Sequence, residues 1–90
     1  MLNRVKKRCG IAETVKVYDE EISSLIIDCA EDMERSGVPP GFIAAGGDSV
    51  VTATTFYVKA HMGNDRSDTE KYQKLYEKKV FRLTLEGDEE

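Results

Sequence analysis

DSVVTATTFYVKAHMG, residues 48–63, is the most apolar continuous stretch in the chain. Val50, Val51, Ala53, Phe56, Tyr57, Val58, Ala60 and Met62 fall all round a helical wheel rather than along one stripe. A helix apolar on every side is stable only with other helices packed around it. Asp48 or Ser49 can cap the first free N–H groups, and Gly63 can supply a left-handed exit. The segment therefore reads as the central helix of a bundle, and the remaining segments are read by how they face it.

Upstream, Ile22, Leu25, Ile26, Cys29, Ala30 and Met33 recur at spacings of three and four. This is the clearest amphipathic pattern in the chain. Asp19 is its expected N-cap, Glu20 and Glu21 suit its first turn, and Gly37 closes it after Ser36. Asp28, Glu31, Asp32 and Glu34 make the outer face acidic. Before it, Leu2, Val5 and Cys9 predict a short helix ended by Gly10, with its basic residues on a solvated face. Thr14, Val15 and Val17 disfavour a helix and predict an extended connection over residues 11–18.

Residues 37–47, GVPPGFIAAGG, read as the one substantial loop, because the residue before a proline is pushed out of the helical region. Phe42 and Ile43 in its middle need an apolar contact, either in the subunit's own core or on a neighbour. Downstream, Asn64, Asp65 and Arg66 predict a turn, and Ser67 with Glu70 forms a capping box that opens a last helix. Tyr72, Leu75, Tyr76, Val80 and Leu83 are its apolar side, with Lys71, Lys74, Lys78 and Lys79 outside. Near Phe81, Leu83 and Leu85 the pattern drifts toward alternation, predicting an exit from the helix. The acidic tail, residues 86–90, is expected to be disordered unless a partner orders it. The expected fold is all-α: one domain over residues 1–90, a small bundle of a short N-terminal helix and three longer helices around the central one.

With 90 residues the chain is short enough that stability is expected to be modest. Seventeen acidic against 13 basic residues give a net charge of −4, which argues against a general duplex-DNA binder. Cys9 and Cys29 are the only cysteines. Without a signal peptide or a long apolar run, a reduced cytosolic setting and no membrane partner are expected. Neither cysteine belongs to a metal-ligand pattern, and Cys29 lies on an apolar stripe that predicts burial. His61 is the only histidine, with no nucleophile or ligand motif beside it in sequence. No catalytic, cofactor-binding or metal residue is assigned, and the chain reads as a non-enzyme.

Gly46-Gly47-Asp48-Ser49-Val50 resembles the G-G-D-S-L signature of carrier domains, in which the serine bears a phosphopantetheine arm. A helix N-terminus favours an incoming phosphate, which makes the chemistry sensible at Ser49. Thr52, Thr54 and Thr55 stand where that family has an apolar recognition helix. A glycine hinge followed by an Asp/Ser cap accounts for all five residues. A DNA-binding regulator is a further alternative, resting on the basic face of the last helix, where Glu70 and Glu77 interrupt the lysines.

Four segments in order carry a broader resemblance: VKKRCGI (5–11), YDEEISSLIIDCAEDMERSGV (18–38), FYVKAHMGND (56–65) and EKYQKLYEKKVFRLTL (70–85). Together they resemble the small head–tail connector proteins of tailed phages and prophages, also described as head-completion or DNA-packaging proteins. The residues Gly46-Gly47-Asp48-Ser49 depart from that pattern. The resemblance implies a structural virion protein that forms a homo-oligomeric ring beneath the portal protein after packaging. A tail or stopper protein would attach to the ring, and packaged DNA would pass through without sequence-specific binding. It implies a place at the head–tail junction of the virion, with assembly in the host cytoplasm. A ring needs two different patches on each subunit. Phe42 and Ile43, with Phe81, Leu83 and Leu85, are the candidate interface residues, chosen as apolar residues in segments expected to be mobile.

Overall fold

The computed structural model describes residues 1–62 and 66–88, and within them five helices and no strand. They are α1 (Leu2–Arg8), α2 (Asp19–Arg35), α3 (Pro40–Ala45), α4 (Asp48–Met62) and α5 (Arg66–Asp88). The quoted apolar stretch is α4, and no residue from Val50 to Ala60 is exposed. Its threonines do not disturb this burial. Thr54 and Thr55 donate their hydroxyls to the Val50 and Val51 carbonyls at 2.8 Å, so neither is left unpaired in the core.

Directions follow from the paired contacts. Arg4 and Arg8 of α1 reach Asp48 and Thr52 of α4, so these two helices run parallel. Asp32 meets Tyr76 and Gly37 approaches Thr84, so α2 and α5 are also parallel. Phe56 stacks on Tyr72 and Tyr57 packs edge-on to Tyr76, as α5 returns along α4. Two apolar clusters result. Cys29, Met33, Val38, Val50, Ala53, Tyr76, Val80 and Leu83 fill one, where α2 and α5 embrace the first half of α4. Val5, Ile22, Val51 and Val58 fill the other, beneath α1. Each fully buried aliphatic side chain stabilises the fold by about 1.5–3 kcal/mol.

The end of α2 is a Schellman motif. Gly37 N–H donates to Glu34 O, Val38 N–H donates to Met33 O, and Gly37 has φ +106°. Val38 and Met33 complete it by sharing the first cluster. Gly37→Ala is therefore expected to destabilise by roughly 1–2 kcal/mol, from backbone strain alone. Gly41 has ordinary helical φ and open space around it. Gly41→Ala should raise stability by up to about 1 kcal/mol. Urea midpoints of the two variants read out both signs.

Several sequence expectations need correction. The 37–47 loop contains α3, because Pro40 takes the first helical position, where its missing N–H costs nothing. Gly46, at φ +63°, ends that helix. Residues 11–18 make successive turns instead of an extended link, with Val15 N–H bonded to Ala12 O and Asp19 N–H to Lys16 O. Asp19 is the first helical residue and Tyr18 the N-cap, because the Asp19 carboxylate is held by Lys6. Asp48 is likewise inside α4, and its carboxylate turns to Arg4 at 2.8 Å. α5 does not break at Phe81 but continues to Asp88. Gly63, Asn64 and Asp65, the Ser67 side chain, and Glu89 and Glu90 lie outside the described residues.

The largest departure is at Lys6. Its basic face was expected to be solvated, yet its side chain is completely buried. Nζ donates to Val15 O at 2.6 Å and Glu13 O at 3.2 Å, and lies 2.7 Å from Asp19 Oδ1. The last contact is ionic, without hydrogen-bond geometry. A buried ammonium is tolerated only when it is paired with an opposite charge and hydrogen-bonded, as here.

Candidate interaction surfaces

The 100° step of an α-helix sorts the three apolar residues near the end of α5. Phe81 and Leu85, four apart, share an outward face and are 66% and 52% exposed. Leu83, two residues from each, turns to the opposite side and is 0% exposed in the first cluster. Leu83 is thus a core residue, and the candidate patch on α5 narrows to Phe81 and Leu85. Phe42 and Ile43 are half-buried and pack against the same cluster from α3, filling the subunit's own core. Replacing them with serine would loosen the fold as well as any contact they make.

Phe81 and Leu85 continue into a groove with Phe56 and Leu75, bordered by Lys78, Lys79 and Arg82. A second apolar surface was missed in the sequence. Val15, Val17 and Tyr18, in the link between α1 and α2, are 38%, 79% and 43% exposed. β-branched residues beside charged ones read as a plain connection, and only the Lys6 bonds reveal that the link is held in place. Ile27 is also exposed, beside Asp28 and Glu31 on the outer face of α2. Asp28, Glu31 and Glu34 do face solvent there, whereas Asp32 accepts a hydrogen bond from Tyr76 Oη at 2.6 Å.

Asp32 opens onto the main polar feature of the interior. Cys29 Sγ lies 3.8 Å from Tyr76 Oη and 3.9 Å from Thr54 Oγ1. Burial raises the Cys29 thiol pKa to about 11, outweighing those two contacts. Tyr76 is shifted upward by burial and by the bond to Asp32, and Tyr57 upward by burial and by Asp28. Each of these groups keeps its proton longer folded than unfolded, so between about pH 9 and 11 the native state holds more protons. Stability present below pH 9 should therefore fall as pH rises through this window. Urea titrations at stepped pH should record the decline, and Cys29→Ala should remove part of the slope. In labelling at pH 8, Cys9 should react before Cys29, because Cys29 is completely buried and Cys9 only partly.

His61 is exposed, its ring 4.2 Å from that of Tyr57. Ser49, the carrier-like serine, is the second residue of α4 and half-buried. Among the described residues, no three His, Cys, Asp or Glu side chains are grouped to hold a metal ion. No helix among them is long and apolar enough to cross a membrane.

A family model described as phage connector protein matches residues 1–90. No curated protein and no solved structure matches the chain. The whole-chain match supports a structural phage protein, a component of the virion that contacts other head or tail proteins. It gives no support to the carrier reading of Ser49. From its first helix to its last, the chain belongs to the phage connector protein family.

Proposed function

We propose that the protein is a head–tail connector whose copies assemble as a closed ring beneath the portal after DNA packaging, joining head to tail. The observation that carries this reading is the family match over the whole chain. The exposed apolar face of Phe81 and Leu85 supports it, since both side chains stay more than half exposed on α5. The partners are other copies of the chain, the portal protein, and a tail or stopper protein. The role is non-enzymatic and belongs to the head–tail junction of the virion, after assembly in the host cytoplasm. Packaged DNA passes through the channel, and acidic residues such as Asp28, Glu31 and Glu34 facing it would repel phosphate and let the duplex slide.

The test is the native mass over a concentration series, with negative-stain images of the heaviest fraction. Closed rings are the expected result, either for the protein alone or when the portal is added as a template. A strict monomer that also fails to co-sediment with the portal would overturn the reading.

A further inference from the structure

The link between α1 and α2 is built differently from an ordinary surface loop. Val17 is the most exposed large apolar side chain among the described residues, and Tyr18 and Val15 accompany it. The backbone beneath them is fixed, because one buried ammonium binds Glu13 O, Val15 O and the Asp19 carboxylate. An exposed apolar segment held rigid loses little entropy on docking. Its charged surroundings are predominantly acidic: Glu13, Glu20 and Glu21 are exposed against one exposed cation, Lys16, whose Nζ lies 4.0 Å from Asp19.

The α4–α5 groove has the opposite character. Phe56, Leu75, Phe81 and Leu85 supply an apolar floor, and Lys78, Lys79 and Arg82 on its border outnumber Glu77. Tip and groove cannot meet within one subunit. The link leaves α1 beside Val58 and Met62, where α4 ends, while Phe81 and Leu85 follow Val80, which packs with Val50 near the start of α4. Two complementary patches at opposite ends of a subunit generate a head-to-tail contact.

Resting on the ring reading above, we infer that the Val15–Val17–Tyr18 tip of one subunit seats in the Phe56–Leu75–Phe81–Leu85 groove of the next. The acidic residues around the tip meet the basic border of the groove. A second copy is the occupant that the charges and the placement of the two patches favour.

The experiment uses the full chain under the conditions, with or without portal, in which the wild type assembles. Reversal of the groove border (Lys78→Glu, Lys79→Glu, Arg82→Glu) should weaken association at least about ten-fold. Reversal at the tip (Glu13→Lys, Glu20→Lys) should do the same, and mixing the two variants should restore tip-to-groove pairs. Circular dichroism confirms that each variant is folded. A cysteine pair, Val17→Cys with Phe81→Cys in a Cys9→Ser background, tests the contact without altering charge. Oxidation should give a ladder of covalent oligomers, whereas either cysteine alone should stop at dimers. Rings that survive both reversals and yield no ladder would overturn the tip-and-groove contact and leave the ring reading standing. A wild type that assembles under no condition, even with portal, would overturn both.

Discussion

Lys6→Met should lose about 3 kcal/mol, because two backbone carbonyls lose their shared donor and the buried Oδ1 of Asp19 loses its ion-pair partner, with only Lys16 left 4.0 Å away at Oδ2. A domain of this length has only about 5–13 kcal/mol in total, so the variant should sit close to its unfolding threshold at 25 °C. The control is the double variant Lys6→Met with Asp19→Leu. With both charges gone, the penalty of leaving the buried Oδ1 without its ion-pair partner disappears, and part of the loss should be recovered. Urea midpoints of the three proteins measure both effects. If Lys6→Met alone unfolds like the wild type, the ammonium is not carrying the link.

Leu83→Ala should cost about 2–5 kcal/mol, as expected for a leucine truncated in a packed core. In a domain of 60–100 residues each kcal/mol moves the melting temperature by about 4–8 °C, so the shift should exceed 8 °C. Phe81→Ala, two residues away on the same helix, removes a larger side chain from the outward face and should change subunit stability by no more than about 0.5 kcal/mol. The contrast separates core from surface within one helical turn. Equal losses from Leu83→Ala and Phe81→Ala would mean that α5 is rotated from the orientation described.

These two residues also mark where the sequence was legible and where it was not. The pattern of α2 was readable because burial follows the helical period and Gly37 ends it, and that of α4 because a helix apolar on every side must be surrounded. Leu83 was misplaced because Phe81-Arg82-Leu83-Thr84-Leu85 alternates like a strand, and only continuation of α5 to Asp88 settles which side each residue takes. Lys6 could not be found from pattern at all. Its position looks like any other basic residue on a short helix, and its burial depends on two carbonyls and a carboxylate supplied by later residues. α3 was hidden by the same proline pair that breaks helices elsewhere but starts one here. Of the interface candidates, Phe81 and Leu85 lie on the surface as an interface requires, while Phe42 and Ile43 were chosen for a loop that turned out to be a packed helical turn.

The parallel pairing of α1 with α4 sets an order of events during synthesis. Arg4 and Arg8 find their partners 44 positions later, at Asp48 and Thr52. On leaving the ribosome, α1 can first meet the start of α2, through Lys6 with Asp19 and Val5 with Ile22, but its arginines stay without their α4 partners until Asp48 and Thr52 have been made. At seven residues it is too short to persist alone in water. Placement of α1 is therefore completed in two steps, and until α4 arrives the part of the Val5 cluster that Val51 and Val58 complete remains open to any other apolar surface nearby.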